Sequence, residues 1–239
     1  ARELWALSER GLAYVRETLA ETMQDMEARR WLLERRINEN TVGVGLADDL
    51  KAMLMEADAD ALSLILMGGM SKAELTIEPK GVLVPALRPE DFILPPLPNH
   101  LFTRDTTCWI YGGVTLNPMR WNARKLETVN ITAIYRFHPD FRDADFSVWW
   151  GDPENDYGLA TLEGGDVMPL GNGVVLVGMG ERTTPQAVGQ LARALFAQGA
   201  AERVRDEFPV TPRAPAGRRG LRRLLGSGRC LVSRPARPR

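Results

Sequence analysis

Two stretches carry residue types suited to holding a cation. One is Asn99-His100-Leu101-Phe102-Thr103-Arg104-Asp105, just ahead of a strand-like run; the other is Leu162-Glu163-Gly164-Gly165-Asp166. Glycines between Glu163 and Asp166 let the backbone take positive φ and bring a ligand close. Carboxylates at Asp105 and Glu163 can grip a planar cation through paired hydrogen bonds. Arg124 and Arg182, both near element ends, can bind a carboxylate in return. Together these groups suit a zwitterion with a cationic end, such as a basic amino acid. Spacing alone leaves duller readings open. Glu-Gly-Gly-Asp also makes a solvated hairpin turn, and Asp105 after Arg104 also makes a surface pair or a cap. Arg124 also fits an exposed helix face, and Glu181-Arg182-Thr183 also fits a segment that simply precedes the next helix. His100 and His138 read as lone surface histidines. Cys108 beside Trp109 reads as a small buried hydrophobe rather than a nucleophile.

The rest of the chain bounds what those residues can do. Its 239 residues are 44% hydrophobic and 26% charged, an ordinary globular balance. Two cysteines and two histidines cannot build a disulfide framework or a His/Cys metal cluster, so no metal site is expected. No apolar run approaches the roughly 20 residues of a membrane span. The start, Ala1-Arg2-Glu3-Leu4-Trp5, shows no secretory segment, so a cytoplasmic protein without a membrane partner is expected. The net charge of −1 conceals a split: from Arg203 onward 11 arginines face only Asp206 and Glu207. That tail is strongly basic and the body is correspondingly acidic.

Periodicity supplies the elements that would position the site. Residues 1–15 read as a short helix, a break at Gly11, and a strand at Leu12–Val15. Leu19, Met23, Met26, Leu33 and Ile37 then lie on one face of a long helix over 16–37. Another helix follows Gly45, and a third runs from Asp60 to Gly68-Gly69. Ser71-Lys72-Ala73-Glu74 is a capping box opening a short fourth. After Leu94-Pro95-Pro96-Leu97-Pro98 the period changes. Strands are expected at 108–111, 114–116, 146–150 and 174–178. Helices are expected over 122–138, ended by Pro139, and after Thr184-Pro185, closed by Gly199. From Arg205 the composition turns to Arg, Pro and Gly, and disorder is expected. A short basic amphipathic helix around Leu221, Leu224 and Leu225, meeting nucleic acid or an anionic surface, is the sharper alternative.

Long strings in this chain resemble bacterial arginine deiminase. They run from Leu97 through Phe102-Thr103-Arg104-Asp105-Thr106-Thr107-Cys108-Trp109-Ile110-Tyr111-Gly112-Gly113 to Pro118, and include Trp149-Trp150-Gly151-Asp152-Pro153 and Leu162-Glu163-Gly164-Gly165-Asp166-Val167-Met168-Pro169. Gly178-Met179-Gly180-Glu181-Arg182-Thr183 and the stretch from Gln198 to Arg203 continue the likeness. The resemblance implies an α+β chain: a partial α/β propeller of pentein type with an inserted helical subdomain. Its implied divisions are 1–15 as a remnant of the first propeller segment, 16–90 as the helical subdomain, 91–204 as propeller segments, and 205–239 as the basic tail. It implies hydrolysis of L-arginine to citrulline and ammonia through a cysteine-bound intermediate, without cofactor or metal. By the same resemblance Asp105 and Glu163 hold the guanidinium, and Asn99, Arg124, Asp166 and Arg182 contact the substrate. L-Arginine is the implied partner, a homo-oligomer stays open, and nucleic acid is not expected.

The departures fall on the chemistry. The family's His-Leu-Asp, aligned without gaps, lands with its histidine on Gly217 and its aspartate on Arg219. Gly226-Ser227-Gly228-Arg229-Cys230 only faintly resembles the family's nucleophile motif and lacks the histidine before the cysteine. The expectation is an incomplete arginine deiminase, inactive as written, that keeps half of the substrate cage. The alternative is a non-catalytic arginine-binding or interaction protein with a basic tail.

Overall fold

A computed structural model describes residues 2–78, 81–199, 203–207 and 229–233, with residues 2–10 and the last two segments described as backbone only. In chain order the elements begin with helices α1 (Arg2–Thr22), α2 (Met26–Arg36), α3 (Glu39–Val42), α4 (Ala47–Met55) and α5 (Ala59–Gly68). Strand β1 (Met70–Ser71), helix α6 (Leu83–Ala86), strand β2 (Phe92–Leu94) and helix α7 (Thr103–Thr106) follow. Next come β3 (Thr107–Ile110), β4 (Gly113–Leu116), α8 (Asn122–Phe137), α9 (Pro139–Arg142) and β5 (Ser147–Trp150). The chain continues through β6 (Val167–Gly171), β7 (Val174–Gly178), α10 (Pro185–Ala197), β8 (Arg203–Glu207) and β9 (Arg229–Ser233). They form two units. The first holds 1–103 and 122–144, and the second holds 104–121 and 145–239. The architecture is mixed α+β, and its sheets are small and open.

The first unit is helical around one apolar core. Leu19, Leu32, Leu50, Leu62 and Leu66 are fully buried there, and α8 contributes Val129, Ile131, Ala133 and Ile134. The helices at 47–55 and 59–68 stand where periodicity places them, and the Ser71/Glu74 capping box opens a short 3-10 turn at Lys72–Glu74. Three sequence expectations are corrected. Leu12–Val15 is helix rather than strand, because Val15, Leu19 and Met23 bury one helical stripe. Gly11 does not break α1. A Cβ there would meet only the end of the Leu101 side chain, at 3.0 Å. The single helix over 16–37 is instead two helices. Asp25 between them accepts hydrogen bonds from the amides of Glu27 and Ala28, as an N-cap does. Replacing Asp25 by alanine should therefore lower the stability of the unit by about 1 kcal/mol. An unchanged urea midpoint for Asp25→Ala would show the cap to be idle.

The second unit contains two sheets. In the first, β3 and β4 form the antiparallel hairpin expected around Gly112-Gly113, and β5 joins β4 in parallel. Trp109, Val114 and Val148 lie in register across the three strands. In the second sheet the order is β6-β7-β8-β9, with β7 and β8 parallel on either side of α10. Val175, Val177, Leu191 and Leu195 pack together as the core beneath it. Strand β6 was not expected, since Pro169 interrupts its sequence. An edge strand tolerates that proline because it has an unpaired side where no amide is required. The stretch from Arg205, expected to be disordered, is corrected in part. Backbone pairing takes 203–207 into β8 beside β7 and 229–233 into β9. Cys230 lies in β9. Gly217, Arg219 and the expected amphipathic helix at 221–225 lie outside the described residues. Among the described residues no helix is long and apolar enough to cross a membrane.

Candidate functional site

In the second unit, four of the six candidate residues come together around the Glu163-Gly164-Gly165-Asp166 turn. Asp105 lies in α7 and is half-buried. Its backbone is pinned by Asn117, whose Nδ2 donates to the Asp105 carbonyl at 2.9 Å and whose amide donates to the Thr106 carbonyl at 2.8 Å. The acidic turn runs directly over this junction. A Cβ at Gly164 would sit 2.0 Å from the Arg104 carbonyl and 2.5 Å from that of Thr107, so only glycine fits. A Cβ at Gly165 would meet Asp105 Oδ1 at 3.5 Å, which places the Asp105 carboxylate against the turn. Arg104 braces the same region by donating from Nη2 to the Val167 carbonyl at 2.9 Å. Close backbone approach explains Gly164; Gly165 is exposed, and neither glycine has the positive φ expected from the sequence.

Glu163 is 4% exposed, and its Oε2 lies 3.0 Å from Nη1 of Arg182, whose side chain is about half exposed. A buried carboxylate of this kind keeps its charge only with a donor opposite it. Arg182 supplies that donor from the loop between β7 and α10. The next residue, Thr183, is fully buried. Its hydroxyl accepts from the Glu163 amide at 3.0 Å and donates to Asp166 Oδ2. Asp166 is half-buried, with its carboxylate beside Gly178. Three carboxylates thus surround a two-glycine turn, with the half-exposed guanidinium of Arg182 on one of them.

Asn99 and Arg124 belong to the first unit, where a different carboxylate organises them. Glu127, fully buried on α8, accepts the Asn99 amide at Oε1 (3.0 Å). At Oε2 it accepts Nε and Nη2 of Arg124, at 3.0 and 2.8 Å. Arg124 is 5% exposed, so it sits inside the helical unit instead of on a solvated face. Glu127 carries no motif signal. It was legible only as one of many acids on a helix, and three-residue spacing from Arg124 was its one hint.

Both histidines were expected at the surface, and both are buried at 4% exposure. His138 caps α9, accepting the Asp140 amide at Nδ1, while Nε2 faces Glu21 Oε2 at 3.3 Å. His100 lies against Asn130, with Nε2 3.1 Å from Nδ2. Burial first, then the nearby Arg36 and Arg124 charges, push the His100 pKa down to about 3, so its ring is neutral. Arg36 is itself nearly inaccessible, and burial lowers it to about 10. Cys108 is buried as expected, and burial pushes its thiol pKa up, away from nucleophilic use. No group of three His, Cys, Asp or Glu among the described residues is placed to hold a metal ion.

Comparison with known proteins gives a family match over most of the chain. The family model for arginine deiminase matches residues 6–209. Among solved structures, the chain is similar to a dimethylarginine dimethylaminohydrolase adduct with 4-chloro-2-hydroxymethylpyridine. The identity is 18%, covering 48% of this chain and 42% of that one, with a TM-score of 0.36. It is also similar to the dimethylarginine dimethylaminohydrolase of Pseudomonas aeruginosa, a cysteine-to-serine variant complexed with citrulline. There the identity is 18%, the coverage 48% and 40%, and the TM-score 0.35. The chain spans about two-fifths of the length of these solved structures.

Proposed function

The chain belongs to the arginine deiminase family, and from that premise we propose that it binds L-arginine by its guanidinium at the Glu163–Asp166 turn. The observation that carries this reading is the guanidinium already there: Arg182 Nη1 lies 3.0 Å from the buried Oε2 of Glu163. A carboxylate arranged to hold one planar cation suits another of the same shape. In this proposal Asp105 and Glu163 grip the ligand guanidinium and Asp166 adds a third negative group beside it. Arg182, half exposed, exchanges Glu163 for the ligand's carboxylate. Asn99 and Arg124 are proposed as substrate-contacting residues on the family resemblance alone. The sheets of the second unit are proposed as segments of a pentein-type propeller.

The reaction of the family, hydrolysis of arginine to citrulline and ammonia, needs more than this grip. The cage neutralises and immobilises the guanidinium. A nucleophile and a proton-transfer group must then attack its central carbon and release ammonia. We propose that this chain carries the gripping part alone.

Calorimetric titration of L-arginine into the folded chain tests the assignment. Binding is expected to be weak and to fall by tenfold or more in Glu163→Gln, since hydrogen bonds to charged groups contribute roughly 1.5–3 kcal/mol. Arginine affinity that survives the paired change of Asp105→Ala and Glu163→Gln would overturn it.

A further inference from the structure

The Thr183 hydroxyl touches both ends of the acidic turn. It accepts the Glu163 amide at 3.0 Å and donates to Asp166 Oδ2. These directions are forced. An amide only donates and an ionised carboxylate only accepts, so the single hydroxyl proton goes to Asp166. Thr183 is itself rigidly held. Its carbonyl accepts the Gly180 amide at 3.0 Å, and the adjacent Thr184 amide donates to the Thr161 carbonyl at 2.9 Å. Thr184 also caps α10. Its neighbour on the other side, Arg182, sends the guanidinium onto Glu163. One short segment ahead of α10 therefore acts on both acids of the turn.

We propose that Thr183 is a positioning residue of the guanidinium site. Its hydroxyl aims the Asp166 carboxylate and fixes the Glu163 backbone, and so sets the separation of two negative charges that a planar cation must span. The proposal rests on the reading of Glu163 and Asp166 as guanidinium-binding. The physical demand is geometric: paired hydrogen bonds to a flat cation lose strength when either carboxylate rotates out of line. A buried threonine with a merely structural role would still satisfy the Glu163 amide. Its loss would then lower stability but leave the affinity of folded molecules intact.

The test uses agmatine, which carries the guanidinium without a carboxylate, titrated at a temperature where circular dichroism shows each variant folded. Thr183→Val keeps the shape and removes the hydroxyl. It is expected to weaken agmatine binding about tenfold, a change of about 1.4 kcal/mol. Thr183→Ser, which restores the hydroxyl, is expected to bind as the unaltered chain does. Should Thr183→Val not fold, Thr183→Cys, with only a weak S–H donor, is read the same way and is expected to show a similar loss. Undiminished agmatine affinity in the variant that folds overturns the positioning role while leaving the arginine reading intact. Failure of the unaltered chain to bind either agmatine or L-arginine overturns that reading, and the positioning role with it.

Discussion

Incubated with L-arginine, the 239-residue chain is expected to release no citrulline above the uncatalysed background, and Cys230→Ala is expected to change nothing. Catalysis in this family, as the resemblance implies it, depends on a thiolate and a histidine acting as one device. Removing either member of such a device costs nearly as much as removing all of it. The positions matched to the histidine and aspartate are Gly217 and Arg219, neither of which can accept a proton from a thiol. Cys108 cannot substitute, because it is buried and its thiol is held above its usual pKa. Charge positioning by Asp105, Glu163 and Asp166 would remain. It would orient the guanidinium without forming the covalent bond on which the rate depends. A colorimetric assay for citrulline over hours at high protein concentration is sufficient. Steady release that Cys230→Ala abolishes would show that Cys230 is the nucleophile after all.

Acid is expected to destabilise the first unit steeply, and His100 is the cause. Arg36 Nη1 donates to Asn130 Oδ1 at 3.4 Å, so the Asn130 amide nitrogen is the end that meets His100. His100 Nε2 must then accept, which requires the neutral ring. The folded pKa of about 3 stands below the ordinary histidine value of 6.5. Below pH 6.5 the unfolded chain therefore binds a proton that the folded chain refuses. The stabilisation is fully present above pH 6.5 and is lost as pH falls toward 3, at roughly 1.4 kcal/mol per pH unit. Between pH 7 and pH 4 the loss from this residue is roughly 3 kcal/mol. His100→Gln keeps an acceptor for Asn130 and removes the titration. Urea midpoints measured across this range should fall less steeply in the variant. Identical slopes would mean that His100 finds a way to ionise in place.

Much of this was written in local sequence. The capping box at Ser71 and Glu74, the hairpin around Gly112-Gly113, and the helix opening at Thr184-Pro185 depend on groups a few residues apart, and each stands where its motif places it. Arg16–Ile37 shows where that logic fails. Its apolar spacing continued through Asp25, yet a side chain that can cap an amide ends one helix and begins another. Strand β6 hid behind Pro169, because only the sheet order shows that it lies at an edge.

The candidate residues divide along the same line. Asp105, Glu163, Asp166 and Arg182 were legible because acids, glycines and arginines in long specific strings announce themselves by type. Their neighbours did not. Thr183 reads as an ordinary residue before a helix, Glu127 as one helix charge among several, and His100 as a surface histidine. Only the tertiary structure shows Thr183 bridging Glu163 and Asp166, Glu127 joining Asn99 to Arg124, and His100 sealed against Asn130. Residue type and short-range spacing fix which groups can ionise, cap or turn, and these are properties of the chain by itself. Burial and partnership arise between segments dozens of residues apart. They decide which charges survive desolvation, and they exist only once the chain has folded.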